Sequence, residues 1–187
     1  CSGSMAGLPM QASKAFMRQA LENLRPSDSF RIIRFSDAAS EFSRQPLPAT
    51  AENLRRGLAY VAQLHGSGGT EMTAGIRPAF AVPAPPDSLR IVVFLTDGYI
   101  GNEHEILRLV RSEIGDARLL AFGVGTSVNR FLLSKLGEVG RGFTRYMDPT
   151  ENPDEVAREL GGRIDSPVLT DIEIDWGDLD VSEVRPE

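Results

Sequence analysis

Cysteine, lysine and long apolar runs are scarce in this 187-residue sequence, and each scarcity excludes a class of protein. The single cysteine, Cys1, rules out an intrachain disulfide, so cysteine usage leaves the redox compartment open. Lysine occurs only at Lys14 and Lys135, the net charge is −6, and no basic stripe is present, which argues against a nucleic-acid-binding surface. No apolar run approaches the ~20 residues that a membrane span needs, and no signal peptide is visible.

The remaining composition is typical of a globular protein with one main domain. Hydrophobic residues make up 41% of the chain and charged residues 25%. A chain of this length can bury a sizeable core in one domain and still carry a short appendage.

Strands and helices alternate along most of the chain. The most apolar stretch, residues 90–96, predicts a strand that is buried on both faces. The alternation predicts an α/β fold, a doubly wound and mostly parallel sheet flanked by helices. We expect helices at 8–24, 51–64, 72–82, 103–113, 129–139 and 154–164, and strands at 29–35, 39–43 (an antiparallel edge strand), 90–96, 118–124 and 143–147.

The carboxyl-terminal tail has a different pattern. Apolar and polar residues alternate from Val168 to Trp176, which is typical of a half-buried strand in an antiparallel sheet. We therefore divide the chain into a domain at 1–164 and a tail at 165–187, and interpret the tail as the start of a following β-rich segment.

Four oxygen-bearing side chains fall in loops at one edge of the predicted sheet. Ser2 and Ser4 precede the first helix, Thr70 ends a glycine-rich loop before another, and Asp97 follows the apolar strand. Ligands bind at the carboxyl ends of the strands in such sheets. Three hydroxyls and one carboxylate suit Mg²⁺ or Mn²⁺, with Ca²⁺ as another hard cation, and do not suit zinc.

Three motifs together resemble the von Willebrand factor A (vWA) domain family. They are Ser2-Gly3-Ser4-Met5, Gly68-Gly69-Thr70 and Leu95-Thr96-Asp97-Gly98, in the order found in that family. The resemblance implies a Rossmann-like fold and a metal-ion-dependent adhesion site. It also implies that Ser2, Ser4 and Thr70 bind the metal directly and that Asp97 acts through water. An acidic residue of a protein partner would complete the coordination, without enzymatic activity.

A closer resemblance is to the A domain of inter-alpha-trypsin inhibitor heavy-chain-like proteins. It extends over Gly69-Thr70-Glu71-Met72 and over 96–103. In that group a VIT domain precedes the A domain, and a β-rich segment like the tail follows it. The resemblance implies a bacterial source and an extracellular, cell-surface or periplasmic location.

One departure from the family pattern concerns the start of the chain. The family motif begins with an Asp that would stand directly before Cys1, and the central first strand should precede that Asp. We therefore expect a domain fragment whose metal position can be empty. An unpaired gap in the sheet is costly, so we expect the gap to be filled. The candidates are residues beyond the sequence, a neighbouring chain that exchanges a strand, and Val168–Trp176.

Other interpretations of these residues remain open. Ser2, Ser4, Thr70 and Asp97 could cap helices, and Cys1 followed by small residues resembles the start of a mature lipoprotein. Asp97 with Mg²⁺ could activate water in a phosphate-ester hydrolase, although the second carboxylate cluster or lysine that such sites generally need is absent. The stretch 123–129 mimics a dinucleotide fingerprint, but Asn129 replaces its third glycine.

Overall fold

The computed structural model describes residues 3–85, 88–96, 102–125, 128–165, 173–177 and 179. A short 3₁₀ helix, Gly3–Met5, precedes the first α-helix. The helices are α1 (Leu8–Glu22), α2 (Ala51–Gln63), α3 (Met72–Ala81), α4 (Glu103–Glu113), α5 (Arg130–Val139) and α6 (Pro153–Asp165). The strands are β1 (Ser29–Phe30), β2 (Ile33–Phe35), β3 (Ala39–Glu41), β4 (Leu47–Pro48), β5 (Ile91–Thr96), β6 (Arg118–Val124) and β7 (Thr144–Met147).

A parallel sheet of β5, β6 and β7 forms the centre of the fold. Every residue of β6 after Arg118 is buried, which explains why its sequence is continuously apolar. Helices α3, α4 and α5 contribute to the core cluster that contains Leu119, and helices α1 and α6 to the cluster that contains Phe122. The sheet therefore has helices on both faces, and the predicted α/β class is confirmed.

Strand β5 is less buried than the sequence predicts. Of its residues only Phe94 and Thr96 are buried, whereas Ile91 is exposed. The reason is that β5 pairs with β6 on one side and with no other described strand. This is the side on which the sequence predicts a central strand, and what fills it stays a prediction.

The prediction of one continuous strand at 29–35 is wrong. This stretch divides into β1, which pairs with β4, and β2, which pairs with β3 in the expected antiparallel sense. At the break, Arg31 donates hydrogen bonds to the carbonyl of Pro78 and the carboxylate of Glu41. β4 was not expected because it contains Pro48, which a short edge strand tolerates.

The tail does not form the predicted strand over its described residues. Residues 173–176 have no regular secondary structure, and 168–172 lie outside the described part of the chain. Ile174 and Trp176 are 52% and 41% exposed, because no described strand pairs with them. The domain boundary at 164 stays a prediction.

Gly140, which directly follows α5, lies against the backbone of β6. Its carbonyl accepts a hydrogen bond from the amide of Leu119 at 2.9 Å. A Cβ atom at this position would lie 2.6 Å from the carbonyl oxygen of Leu136 and 2.7 Å from that of Leu119. Backbone atoms cannot move aside as a side chain can, so this contact requires glycine.

We expect Gly140→Ala to lower the free energy of unfolding by about 1–3 kcal/mol, through overpacking against these carbonyls. Gly162→Ala is the matched control, because nothing lies within 4 Å of its added methyl on the exposed side of α6. That change should instead stabilise the protein by about 0.5–1 kcal/mol. Urea unfolding followed by circular dichroism measures both, and equal stability of the two variants would contradict the packing described here.

Candidate metal centre

The fold brings the loops of Ser4 and Thr70 together. Ser4 is exposed in the 3₁₀ helix before α1, and Thr70 is half-buried just before α3. The amide of Gly3 donates a hydrogen bond to the carbonyl of Gly68 at 2.9 Å, which joins the two backbones. The two segments also share a buried contact, because Met5 packs in one hydrophobic cluster with Leu64. Neighbouring residues on both sides therefore hold the two hydroxyl-bearing segments in place.

The other two predicted ligands, Ser2 and Asp97, lie outside the described residues. Asp97 directly follows Thr96, the last residue of β5, whose side chain is only 3% exposed. Thr96 is thus the last described residue at the carboxyl end of a parallel strand. This is the edge at which α/β sheets bind ligands. The roles of Ser2 and Asp97 stay predictions.

The loop before Thr70 is held by the segment that follows β2. The carbonyl of Ser36 accepts a hydrogen bond from the amide of Glu71 at 2.7 Å. The Oδ1 atom of Asp37 accepts one from the amide of Gly69 at 2.8 Å. Ser36 and Asp37 lie between the predicted strands 29–35 and 39–43, and the sequence does not single them out as site residues. The one available signal was that they follow a predicted strand, as Thr96 and Asp97 do.

Asp37 also explains why two glycines precede Thr70. A Cβ atom at Gly68 would lie 2.3 Å from Oδ2 of Asp37, and one at Gly69 would lie 2.5 Å from its Oδ1. Gly68 in addition has φ +75°, a left-handed conformation that favours glycine. With glycine at both positions, the loop approaches this carboxylate while the carboxylate keeps its hydrogen bond to Gly69.

A pair of side chains links the starts of α4 and α5 at the same edge. The amide nitrogen of Asn129 donates to Oε1 of Glu103 at 2.9 Å, and its Oδ1 accepts from the amide of Leu132 at 3.0 Å. The backbone N–H of Glu103 itself, followed by the Asn129 side chain, lowers the pKa of the Glu103 carboxyl below its ordinary value. Glu103 is therefore an anion at neutral pH.

Asp148, which follows β7, is another anion at this edge. Thr150 donates to its carboxylate from both the backbone N–H, at 2.9 Å, and the hydroxyl, at 2.7 Å. These bonds, together with the charge of Arg130, lower the pKa of Asp148. Arg130 itself lies over the ring of Tyr146, 4.7 Å from its centroid. Among the described residues, this edge thus carries the carboxylates of Glu103 and Asp148, with Arg130 close to Asp148.

The described donors fit a hard cation. Ser4 and Thr70 supply neutral hydroxyl oxygens, which suit Mg²⁺ and offer nothing to a soft metal. Within the described ranges no group of three or more His, Cys, Asp and Glu residues could hold a metal ion. A cation at this edge would therefore be bound by hydroxyl oxygens, and a carboxylate such as Asp97 would complete the set of oxygen ligands.

An open groove of about 440 Å³ lies elsewhere, beside Pro26, Pro46 and Pro83. Pro83 belongs to the linker before β5, so the groove lies toward the amino end of that strand. This is the opposite end from Thr96, and the groove is not part of the candidate centre.

A family model described as von Willebrand factor type A domain matches residues 1–146. The chain belongs to this family. A vWA domain-containing protein of Dictyostelium discoideum is 26% identical over 180 residues, which cover 96% of the chain and 19% of that protein. Inter alpha-trypsin inhibitor, heavy chain 4 of mouse is 27% identical over 196 residues, covering 98% of the chain and 21% of that protein. The chain spans about a fifth of the length of these curated relatives, and the predicted resemblance to both groups is confirmed.

Solved structures show the same fold. A von Willebrand factor type A protein from Catenulispora acidiphila superposes with a TM-score of 0.73 at 23% identity, covering 87% of this chain and 40% of that one. BatB from Bacteroides thetaiotaomicron superposes with a TM-score of 0.68 at 14% identity, covering 88% and 93%. At such identities the likeness shows the vWA fold alone.

In this A domain, Asn129 has a local structural role. It caps α5 at the position where a dinucleotide fingerprint would need glycine. Gly123 is explained by packing, because a Cβ atom there would lie 2.7 Å from side-chain atoms of Val128 and Leu133. These contacts favour a tight strand-to-helix turn over a dinucleotide site.

We expect Asn129→Ala to remove the cap of α5, lower stability by about 0.5–2 kcal/mol and raise the pKa of Glu103. Because the folded pKa of Glu103 is lowered, its contribution is present above its unfolded pKa and is lost as pH falls through the folded pKa. The stability difference from the wild type should therefore be larger at pH 7 than in acid.

NMR titration of the Glu103 carboxyl and urea unfolding at several pH values measure these effects. Thr50→Ala is the control, since Thr50 caps α2 by accepting from the amide of Asn53 at 3.2 Å. It should cost similar stability and leave the pKa of Glu103 unchanged. The same pKa in wild type and Asn129→Ala would contradict the link between α4 and α5.

Proposed function

We propose that this A domain is a protein-binding module of the adhesion type that depends on a divalent cation, Mg²⁺ or alternatively Mn²⁺ or Ca²⁺. The observation that supports this most directly is the hydrogen bond from Gly3 to Gly68, which brings the loops of Ser4 and Thr70 together. Asp97, the carboxylate of the proposed site, directly follows Thr96 at the carboxyl end of β5 in the sequence. Family membership adds support, because vWA domains generally mediate protein–protein interaction.

In this proposal Ser2, Ser4 and Thr70 bind the ion directly, and Asp97 acts through water. When bound, the ion supplies a Lewis-acidic centre for a carboxylate of the partner. Mostly neutral ligands leave the ion with most of its positive charge, so it attracts an acidic residue from outside. Ser4 and Thr70 would hold the ion from two segments that neighbour buried residues, Met5 beside Ser4 and Met72 near Thr70.

The charges around the edge support cation dependence. Glu103 and Asp148 are anions, and the chain carries a net charge of −6. An acidic partner would be repelled by these charges in the absence of a cation. A bound divalent cation offsets this negative charge and offers the partner's carboxylate a direct attraction, so we expect attachment of the partner to depend on the metal.

The location of the protein is also proposed from its relatives. Heavy chains of inter-alpha-trypsin inhibitor are among the relatives, and we propose an extracellular, cell-surface or periplasmic setting like that implied by the resemblance. Within the described part of the chain, no helix combines the length and the apolar character needed to cross a bilayer.

We expect Thr70→Val to reduce Mg²⁺ affinity more than tenfold, because valine keeps the shape of threonine and removes its hydroxyl. Thr70→Ser is the matched control, and it should bind Mg²⁺ nearly as well as the wild type. Isothermal titration calorimetry on the full-length natural protein measures both, so that any ligand from outside residues 1–187 is present. Unchanged affinity in Thr70→Val would show that the metal assignment is wrong.

No observation favours the alternative, a Mg²⁺-assisted phosphate-ester hydrolase, so we propose a non-enzymatic role. We expect no turnover of p-nitrophenyl phosphate with Mg²⁺ above the background of the Thr70→Val variant. Hydrolysis that is lost in Thr70→Val and kept in Thr70→Ser would instead establish the hydrolase.

A further inference from the structure

We infer that Asp37 is a positioning residue for Thr70, which presents the Thr70 hydroxyl to the cation by fixing the turn at Gly68 and Gly69. This inference rests on the proposed function, because it assigns a role to Asp37 at the same site. Asp37 lies between β2 and β3, remote in sequence from Thr70 and outside the three family motifs.

The first argument is the direct contact. Oδ1 of Asp37 accepts a hydrogen bond from the amide of Gly69 at 2.8 Å, and Gly69 is the residue before Thr70. A carboxylate that accepts from a backbone N–H forms a charge-assisted bond, which is stronger than a neutral one. It therefore restrains the peptide plane that leads into Thr70.

The second argument is that the residues before and after Gly69 are also hydrogen-bonded to other segments. Before it, the carbonyl of Gly68 accepts from Gly3 at 2.9 Å, and after it, the amide of Glu71 donates to Ser36 at 2.7 Å. Arg34 adds a hydrogen bond to the hydroxyl of Ser67 at 2.9 Å. Asp37 supplies the central restraint in this series, next to Thr70 itself.

The third argument is steric. The carboxylate occupies the space that a Cβ atom would need at Gly68 or at Gly69, at 2.3 and 2.5 Å. Apart from Gly69 itself and its chain neighbours, Asp37 is the only described residue with heavy atoms within 4 Å of the Cβ position of Gly69. The two glycines and the carboxylate therefore form one unit, whose geometry determines where Thr70 lies.

The test compares Asp37→Asn with Asp37→Ala. Asparagine keeps an oxygen at the Oδ1 position and removes the charge, whereas alanine removes the acceptor. We expect Asp37→Ala to weaken Mg²⁺ binding about tenfold, as loss of one charge-assisted bond would. Asp37→Asn should stay within about threefold of the wild type. Asp116→Ala, at the opposite end of β6, controls for loss of one negative charge.

A double variant tests the shared contact. Gly69→Ala alone should weaken Mg²⁺ binding, because its methyl collides with Asp37. Gly69→Ala combined with Asp37→Ala should be no worse than Asp37→Ala alone, since the collision is then gone. Amide exchange of Gly69, measured by NMR without metal, should accelerate in Asp37→Ala and not in Asp37→Asn.

The outcomes separate this inference from the proposed function. If Thr70→Val loses Mg²⁺ affinity and Asp37→Ala does not, the inference is wrong and the function stands. If Asp37→Ala and Asp37→Asn are equally defective in Mg²⁺ binding while the amide exchange of Gly69 stays at the wild-type rate in both, the carboxylate acts through its charge on the ion, and the positioning role is wrong. If Thr70→Val binds normally, the proposed function fails, and the positioning role at that site fails with it.

Discussion

The burial of β6 on both faces is the constraint on which the rest of the fold depends. Its alternate residues face opposite clusters, Leu119 and Ala121 on one side and Phe122 and Val124 on the other. Helices must therefore cover both faces, and the strands beside β6 run parallel to it. Parallel strands end at the same edge, so the carboxyl ends of β5, β6 and β7 lie on one side of the sheet. We expect the candidate centre at this edge because of that geometry.

The parts of the fold that follow from local pattern could be predicted closely. α4 at 103–113 and β6 at 118–124 have the bounds expected from the sequence, because a strongly periodic helix and a continuously apolar strand each carry their signal locally. The strand at 29–35 could not be predicted as two pieces. Its break depends on contacts of Arg31 with Pro78 and Glu41, which are distant in sequence.

The same distinction applies to the site. The order of the family motifs predicts that the loops of Ser4 and Thr70 lie close together, and the structure joins those loops by a hydrogen bond, while their role as metal ligands stays a prediction. The predictions for Ser2 and Asp97 rest on the motifs alone. Asp37 could not be found, since its contact with Gly69 joins two loops that no local pattern connects. Sequence shows which groups are chemically able to bind a cation, whereas the residues that hold those groups emerge only from tertiary contacts.

The hydrogen bond between Gly3 and Gly68 couples the amino-terminal segment to the loop before α3. A ligand that contacts both segments stabilises the state in which they are docked, by an amount that grows with its concentration relative to its dissociation constant. Cation occupancy and docking of the amino-terminal segment are then a single linked equilibrium. In such an arrangement, the calcium and magnesium levels of the surroundings would also set how readily a protease reaches the residues before α1.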